Sequence, residues 1–209
     1  MIRKDNILRP EDIEKRSFEI IKSELARPLD TGLAPIIMRV VHTTADFDYV
    51  DSLTFSKNAV SIAREAIRGG AFIVTDTHMA QAGINAKRLA SFGGETMCYI
   101  ADSDVAEAAL LAGTTRAYAA VDKAMKLGKK LIFAVGNAPT ALIRICELVE
   151  AGKLSPALVI GVPVGFVNVV ESKEMLMRTA VPHIVARGRK GGSSVAAAIC
   201  NALIYGAES

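Results

Sequence analysis

The stretch of this chain best equipped for chemistry is Arg187-Gly188-Arg189-Lys190-Gly191-Gly192-Ser193-Ser194, which runs straight into the apolar segment Val195 to Leu203. Three cations and three glycines stand where a strand gives way to a helix, and two serines follow that are able to cap it. The first amides of a helix have no partner within it and carry partial positive charge, so such a turn suits an anion. It is not a nucleotide P-loop, because the lysine precedes the glycine pair and the spacing of that motif is absent.

Other residues with chemical capacity are spread along the chain. His42 closes the apolar run Ile36–Val41 beside Arg39 and Thr43, and imidazole titrates near neutral pH. His78 borders a helical segment and reads as a capping or packing residue, while His183 follows Pro182 at a strand start and reads as structural. Gly136-Asn137-Ala138-Pro139-Thr140 has the form of a strand-to-helix turn with proline at the first helical position. Such a turn offers amides to a carboxylate or phosphate, although ordinary helix initiation leaves the same signature. Gly161-Val162-Pro163-Val164-Gly165-Phe166 is too apolar and proline-interrupted to start a helix, and suits a wall that lets backbone approach a flat ligand. With three histidines and no cysteine or carboxylate set at ligand spacing, no protein-held metal is expected.

The composition excludes several classes. A chain of 209 residues with 51% hydrophobic content can bury a sizeable core as one domain, expected to span residues 1–209. Its net charge of +3 and 5% aromatic content do not suit a nucleic-acid binder. The scattered cysteines Cys98, Cys146 and Cys200, without CxxC spacing, read as reduced core thiols of a cytoplasmic protein. Met1 to Pro10 is charged and shows no signal peptide, and no apolar run is long enough to span a membrane.

The elements that must position these residues alternate. A first helix runs from Glu11 to about Arg27 with the stripe Ile13, Ser17, Ile20, Ile21 and Leu25, and Pro28 stops it. Strands are expected at Ile36–Val41, Ala71–Thr75, Met97–Ile100, Leu131–Val135, Leu158–Val162 and His183–Ala186. Helices are expected near 56–68, 103–112, 116–127, 139–151, 171–179 and 194–205. Continuous apolar strands alternating with helices mean an α/β fold: an open, mainly parallel sheet with helices on both faces. Ligands of such sheets bind beyond the carboxyl ends of the strands. There the sequence gathers Arg39, His42 and Thr43, then Asp76 and Thr77, Asp102, Gly136 to Thr140, Gly161 to Gly165, and Arg187 to Ser194.

In this order the segments Ile13 to Phe18, Arg39 to Thr43, Asp76-Thr77, Gly136 to Leu142, Pro163 to Val167 with Glu171-Ser172-Lys173, and Gly188 to Ser193 resemble the precorrin-8X methylmutase family. That family includes the cobalt-precorrin-8 methylmutases of anaerobic cobalamin synthesis, and the resemblance covers nearly the whole chain. It implies an isomerase that moves a methyl group from ring carbon C-11 to its neighbour C-12 of a corrin precursor. The shift is a suprafacial 1,5-sigmatropic one and yields hydrogenobyrinate or its cobalt form, cobyrinate. It needs no cofactor; cobalt, where present, is carried by the substrate. It also implies a homodimer with its pocket near the subunit boundary, and His42 as the acid beside the migrating centre. Substrate contacts would come from Ser17, Arg39, Thr43, Asp76, Thr77, Arg116, Gly136, Asn137, Ala138, Thr140, Val164, Gly165, Lys173, Arg189, Lys190, Gly191, Gly192 and Ser193. Ser17 and Lys173 rest on the resemblance more than on residue chemistry; a serine on a helix ordinarily bonds its own backbone.

Residue chemistry fits such a ligand. A flat apolar ring with acetate and propionate arms needs a slot and carboxylate receivers, which Arg39, Arg116, Arg187, Arg189, Lys190 and the turns at Asn137 and Ser193 are placed to supply. Two other readings use the same residues: a non-catalytic carrier of carboxylated tetrapyrroles, and an α/β protein that binds a phosphorylated ligand. No Walker spacing, GxGxxG or acidic ribose clamp supports the latter.

Overall fold

The structure is a computed structural model and describes residues 9–208, so most of the charged opening stretch lies outside it. In chain order the elements begin with α1 (Pro10–Glu24), α2 (Ala34–Thr44), α3 (Tyr49–Ser52), β1 (Leu53–Phe55), α4 (Ala59–Arg68) and β2 (Phe72–Thr75). There follow α5 (His78–Gly83), α6 (Ala86–Ala90), β3 (Thr96–Met97), α7 (Ser103–Leu111), α8 (Arg116–Met125) and β4 (Leu131–Val135). The chain ends with α9 (Pro139–Glu150), β5 (Leu158–Gly161), α10 (Val169–Arg178), β6 (His183–Ala186) and α11 (Ser193–Tyr205).

The sheet is six-stranded in the order β1-β6-β5-β4-β2-β3. Strands β2 to β6 pair in parallel, and β1 closes one edge antiparallel to β6. Alternate residues of each inner strand feed two cores. Ile73, Ile132, Leu158 and Ile160 face the helices α1, α2, α4, α5 and α11. Val74, Phe133, Val159 and Val185 face α7, α8, α9 and α10. The open, mainly parallel α/β architecture with helices on both faces is therefore the observed one.

Several elements depart from the sequence reading. The strand expected at Met97–Ile100 is only the pair Thr96–Met97, α3 and α6 form where no helix is expected, and the first strand and first helix differ as well. The segment Ile36–Val41, expected as the first strand, lies inside α2. Pro35 occupies its first turn, where a missing amide costs nothing, and Ile36, Ile37, Val40 and Val41 form a buried helical stripe. Burying each such side chain contributes about 1.5–3 kcal/mol, enough to override the β preference of Ile and Val. The first strand is instead Leu53–Phe55, three residues long and too short to carry an alternation. In α1, Ile21 is buried but Ile13 and Ile20 remain exposed, so its expected stripe is only partly used.

Strand order reverses between β2 and β4: from β2 the chain steps outward to β3, returns to β4 on the other side, and continues through β5 to β6. The crevice beyond the carboxyl ends of β2 and β4 is where sheets of this kind receive ligands.

Candidate functional site

Helix α2 places Arg39, His42 and Thr43, spaced i, i+3 and i+4, on the side opposite its buried stripe. His42 thus stands in the last turn of a helix, not at a strand end, and is exposed. Its ring lies against Phe18 of α1, with centroids 5.2 Å apart and planes tilted by 47°. Arg39 donates to Glu14 at 2.8 Å, and its guanidinium lies 5.0 Å from the Phe18 ring and 5.5 Å from the Tyr205 ring. Two aromatic faces and one carboxylate therefore fix this cation's direction.

Arg39, His42 and Thr43 line an open cleft of about 360 Å³ together with Gly83, Ser194, Ala197, Ala198, Asn201 and Tyr205. Its floor is the small-residue stripe of α11. A Cβ on Gly83 would stand 2.8 Å from that of Ala197, so α5 approaches α11 this closely only through glycine. Asn201 donates to the Gly83 carbonyl at 2.8 Å and accepts the Asn85 amide at 2.8 Å, while Asn85 donates to the Tyr205 hydroxyl. These bonds hold the floor rigid below the imidazole.

At the switch crevice the structure overturns one expectation. The Gly136–Ala138 amides are not free for a ligand, because the buried Asp76 carboxylate accepts all three, at 2.9, 2.7 and 2.6 Å. Burial pushes the Asp76 carboxyl above its usual range, and the three amides pull it back. Asp76 is thus a brace inside the fold, its carboxylate turned to these backbone amides. Thr77 caps α5 by accepting the Ala80 amide and shares a 2.8 Å hydrogen bond with Ser193. Gly136 packs so closely that an added Cβ would lie 2.7 Å from the Ser193 Cα. Asp76, Thr77, Gly136 and Ser193 therefore form one unit, and Ser194 carries it to the rim of the His42 cleft.

The Arg187–Gly192 loop is braced as well. The Gly192 amide donates to the Val162 carbonyl at 2.8 Å, and the Gly165 amide to that of Arg189 at 3.2 Å. A Cβ on Gly191 would fall on the Val162 carbonyl, so only glycine fits. Lys173, expected among substrate contacts, is 1% exposed, and its ammonium donates to the carbonyls of Gly188 and Lys190 at 2.7 and 2.8 Å. Burial pushes that ammonium down to about 8. Lys190 bonds Asp46 and Asp48, both at 2.6 Å, and those carboxylates raise it above its ordinary value. Arg189 lies 5.3 Å from the ring of Phe166, which is 80% exposed beside Val164 and Val167.

Three residues expected among the contacts do not line this cleft within the single chain. Ser17 donates to the Ile13 carbonyl of its own helix. Arg116 opens α8, and Thr140 shares a hydrogen bond with Thr115; neither lines the His42 cleft. A larger groove of about 590 Å³ between α7 and α8 holds none of the expected residues. Among the described residues no cluster of three or more His, Cys, Asp or Glu could hold a metal ion. Sequence reasoning missed Tyr205, Asn201 and Gly83 as cleft residues. The signal was there for α11: Ser194, Ala197, Ala198, Asn201 and Tyr205 share a helical stripe that is small or polar in an otherwise apolar run.

Against known proteins, the family model described as Precorrin-8X methylmutase matches residues 12–206. A Cobalt-precorrin-8 methylmutase of Salmonella typhimurium is 48% identical over 95% of this chain and 96% of its own. One from Priestia megaterium is 45% identical over 97% of this chain and 90% of its own. A Precorrin-8X methylmutase of Pseudomonas aeruginosa is 38% identical over 91% and 93%. The solved structure of a precorrin-8x methyl mutase from Thermus thermophilus superposes with a TM-score of 0.85 at 42% identity, covering 94% of this chain and 97% of that one.

Proposed function

Because this chain belongs to the precorrin-8X methylmutase family, we propose that it moves the C-11 methyl group of a precorrin-8 macrocycle to C-12, with His42 as general acid. The enzyme is an isomerase of cobalamin biosynthesis. The observation that carries the mechanistic reading is the meeting of His42 and Arg39 on one helical face, above a cleft floored by small α11 side chains.

A 1,5-shift moves a methyl group within one conjugated system, so the protein need supply only shape and a proton. His42 donates a hydrogen bond or proton to the macrocycle at the migrating edge and draws electron density from the ring. General acid catalysis of this kind supplies about 10²–10⁴-fold, roughly 3–5 kcal/mol of the barrier. The rest comes from holding the reactive tautomer against the floor. Arg39 receives one carboxylate arm, and Arg187, Arg189 and Lys190 receive others. Each charge-assisted bond is worth about 1.5–3 kcal/mol. The arms must displace Glu14 from Arg39 and the two aspartates from Lys190. The turn amides at Gly136 to Ala138 contribute nothing directly, since Asp76 holds them.

An open cleft of about 360 Å³ covers only part of so large a ring. In this reading a second copy closes the rest, making the working form a homodimer in the cytoplasm. The relatives at 45% and 48% identity carry the cobalt name, and the cobalt-bearing ring is the expected substrate. Turnover of both ring forms, followed by their absorption spectra, tests the reading. His42→Ala is expected to lose about 10²–10⁴-fold in kcat while binding product within a few-fold of wild type. Unchanged turnover removes His42 from the reaction, and absence of turnover by the wild type with either ring removes the function.

A further inference from the structure

Lys173 is the one fully buried lysine among the described residues. Its stem enters from α10, and its ammonium meets no carboxylate among the described hydrogen bonds and ion pairs, only the carbonyls of Gly188 and Lys190. A buried ammonium is costly unless its donors are used, and here the dipoles of a single loop use them. That loop carries Arg187, Arg189 and Lys190, and it turns into Gly191 and Gly192, whose backbone is pressed against Val162.

We propose that Lys173 is a positioning residue: its ammonium pins the Arg187–Gly192 loop from behind, so that the loop's cations face the macrocycle in a fixed register without Lys173 touching it. The inference rests on the proposed function for what the loop grips, but not for the pinning itself. The loop is otherwise tied by Gly192 to Val162, by Arg189 to Gly165, and by the exposed pair of Lys190 with Asp46 and Asp48. Only Lys173 holds two of its carbonyls at once from the protein interior.

The loop contains its own reporter, because trypsin cleaves after arginine and lysine. In Lys173→Met, which fills the space but donates nothing, cleavage after Arg187 or Arg189, located by mass spectrometry, is expected to quicken at least about tenfold. Cleavage after Lys129 and Lys130, exposed on the far side of the protein, stays at the wild-type rate; general loosening would raise both. In turnover, KM rises about tenfold or more with kcat within about threefold, since the loop grips the substrate but His42 stands on another element. Lys173→Gln, whose amide donates from one atom nearer the backbone, gives an intermediate cleavage rate and serves if the methionine variant does not fold. Loop cleavage unchanged in a folded variant, or kcat lost with KM unchanged, overturns the proposal. The protease result does not depend on the substrate, so a wild type without turnover would defeat the functional reading alone.

Discussion

Replacing Asp76 by asparagine tests whether this carboxylate braces the fold. One oxygen accepts the Gly136 amide at 2.9 Å, and the other accepts those of Asn137 and Ala138 at 2.7 and 2.6 Å. Asparagine has a single acceptor oxygen. If it keeps the pair at Asn137 and Ala138, its amino group faces the Gly136 N–H, donor against donor, in a buried position. Two bonds then lose their charge assistance, roughly halving each and costing about 1 kcal/mol apiece. The unpaired Gly136 amide adds about 1–3 kcal/mol. Relief of a buried charge offsets part of this, leaving a net loss of about 2–4 kcal/mol. At roughly 2–4 °C per kcal/mol for a chain of this size, the midpoint falls by about 5–15 °C. Thermal and urea unfolding followed by circular dichroism measure it, with Asp76→Ala, which abandons all three amides, expected to fall further. Because Gly136 abuts Ser193, product affinity should weaken as well. A loss below about 1 kcal/mol with unchanged product affinity would refute the brace.

Two further effects follow from the loop. Gly191→Ala puts a methyl group into the Val162 carbonyl at φ 158, whereas Gly188, at φ 74, has open space around its Cβ position. The first substitution should cost about 3 kcal/mol or more and the second about 1–2; equal melting temperatures would contradict the close approach. Lys173 has its folded value pushed down to about 8 by burial, below the unfolded value of about 10.4. Below pH 8 both states hold the proton and the penalty is constant. Between about pH 8 and 10 the unfolded state binds more protons at this group, so its contribution to stability rises with pH, by about 3 kcal/mol when complete. Buried Cys146 and Cys200, pushed up to about 12, lower stability over the same range in both proteins. The difference in urea midpoint between wild type and Lys173→Met across pH 7 to 10 should therefore carry the Lys173 slope.

What the sequence made legible follows from how each signal is encoded. Inner strands buried on both faces read as unbroken apolar runs, and Leu131–Val135 and His183–Ala186 form where their pattern puts them. Helix α2 misleads because Ile36, Ile37, Val40 and Val41 favour strands locally, while packing against α11 decides the outcome. The polar spacing of Arg39, His42 and Thr43 was the helical clue, since a strand would have turned Arg39 and His42 to opposite faces. At the site, residue types were legible and their directions were not. Asp76, at the end of β2, and Lys173, on α10, lie beside the right loops, but a sequence does not say whether a charge faces a ligand or the backbone behind it.

That distinction explains why the cleft lies where it does. In an open parallel sheet the amides beyond β2 and β4 are the natural anion site, yet Asp76 fills it from within the chain. A substrate carboxylate would have to compete with a tethered one already holding three short bonds. The groups proposed to grip the substrate stand outward from the crevice, on α2, on the first turn of α11 and on the Arg187–Gly192 loop. Lys173 does on that loop what Asp76 does on the Gly136 turn: a single buried charge, answered by loop dipoles, fixes backbone that a polyanion would otherwise pull out of place. The interior charges hold these loops from behind, while at the cleft His42 stands exposed beside Arg39, half-buried and paired with Glu14.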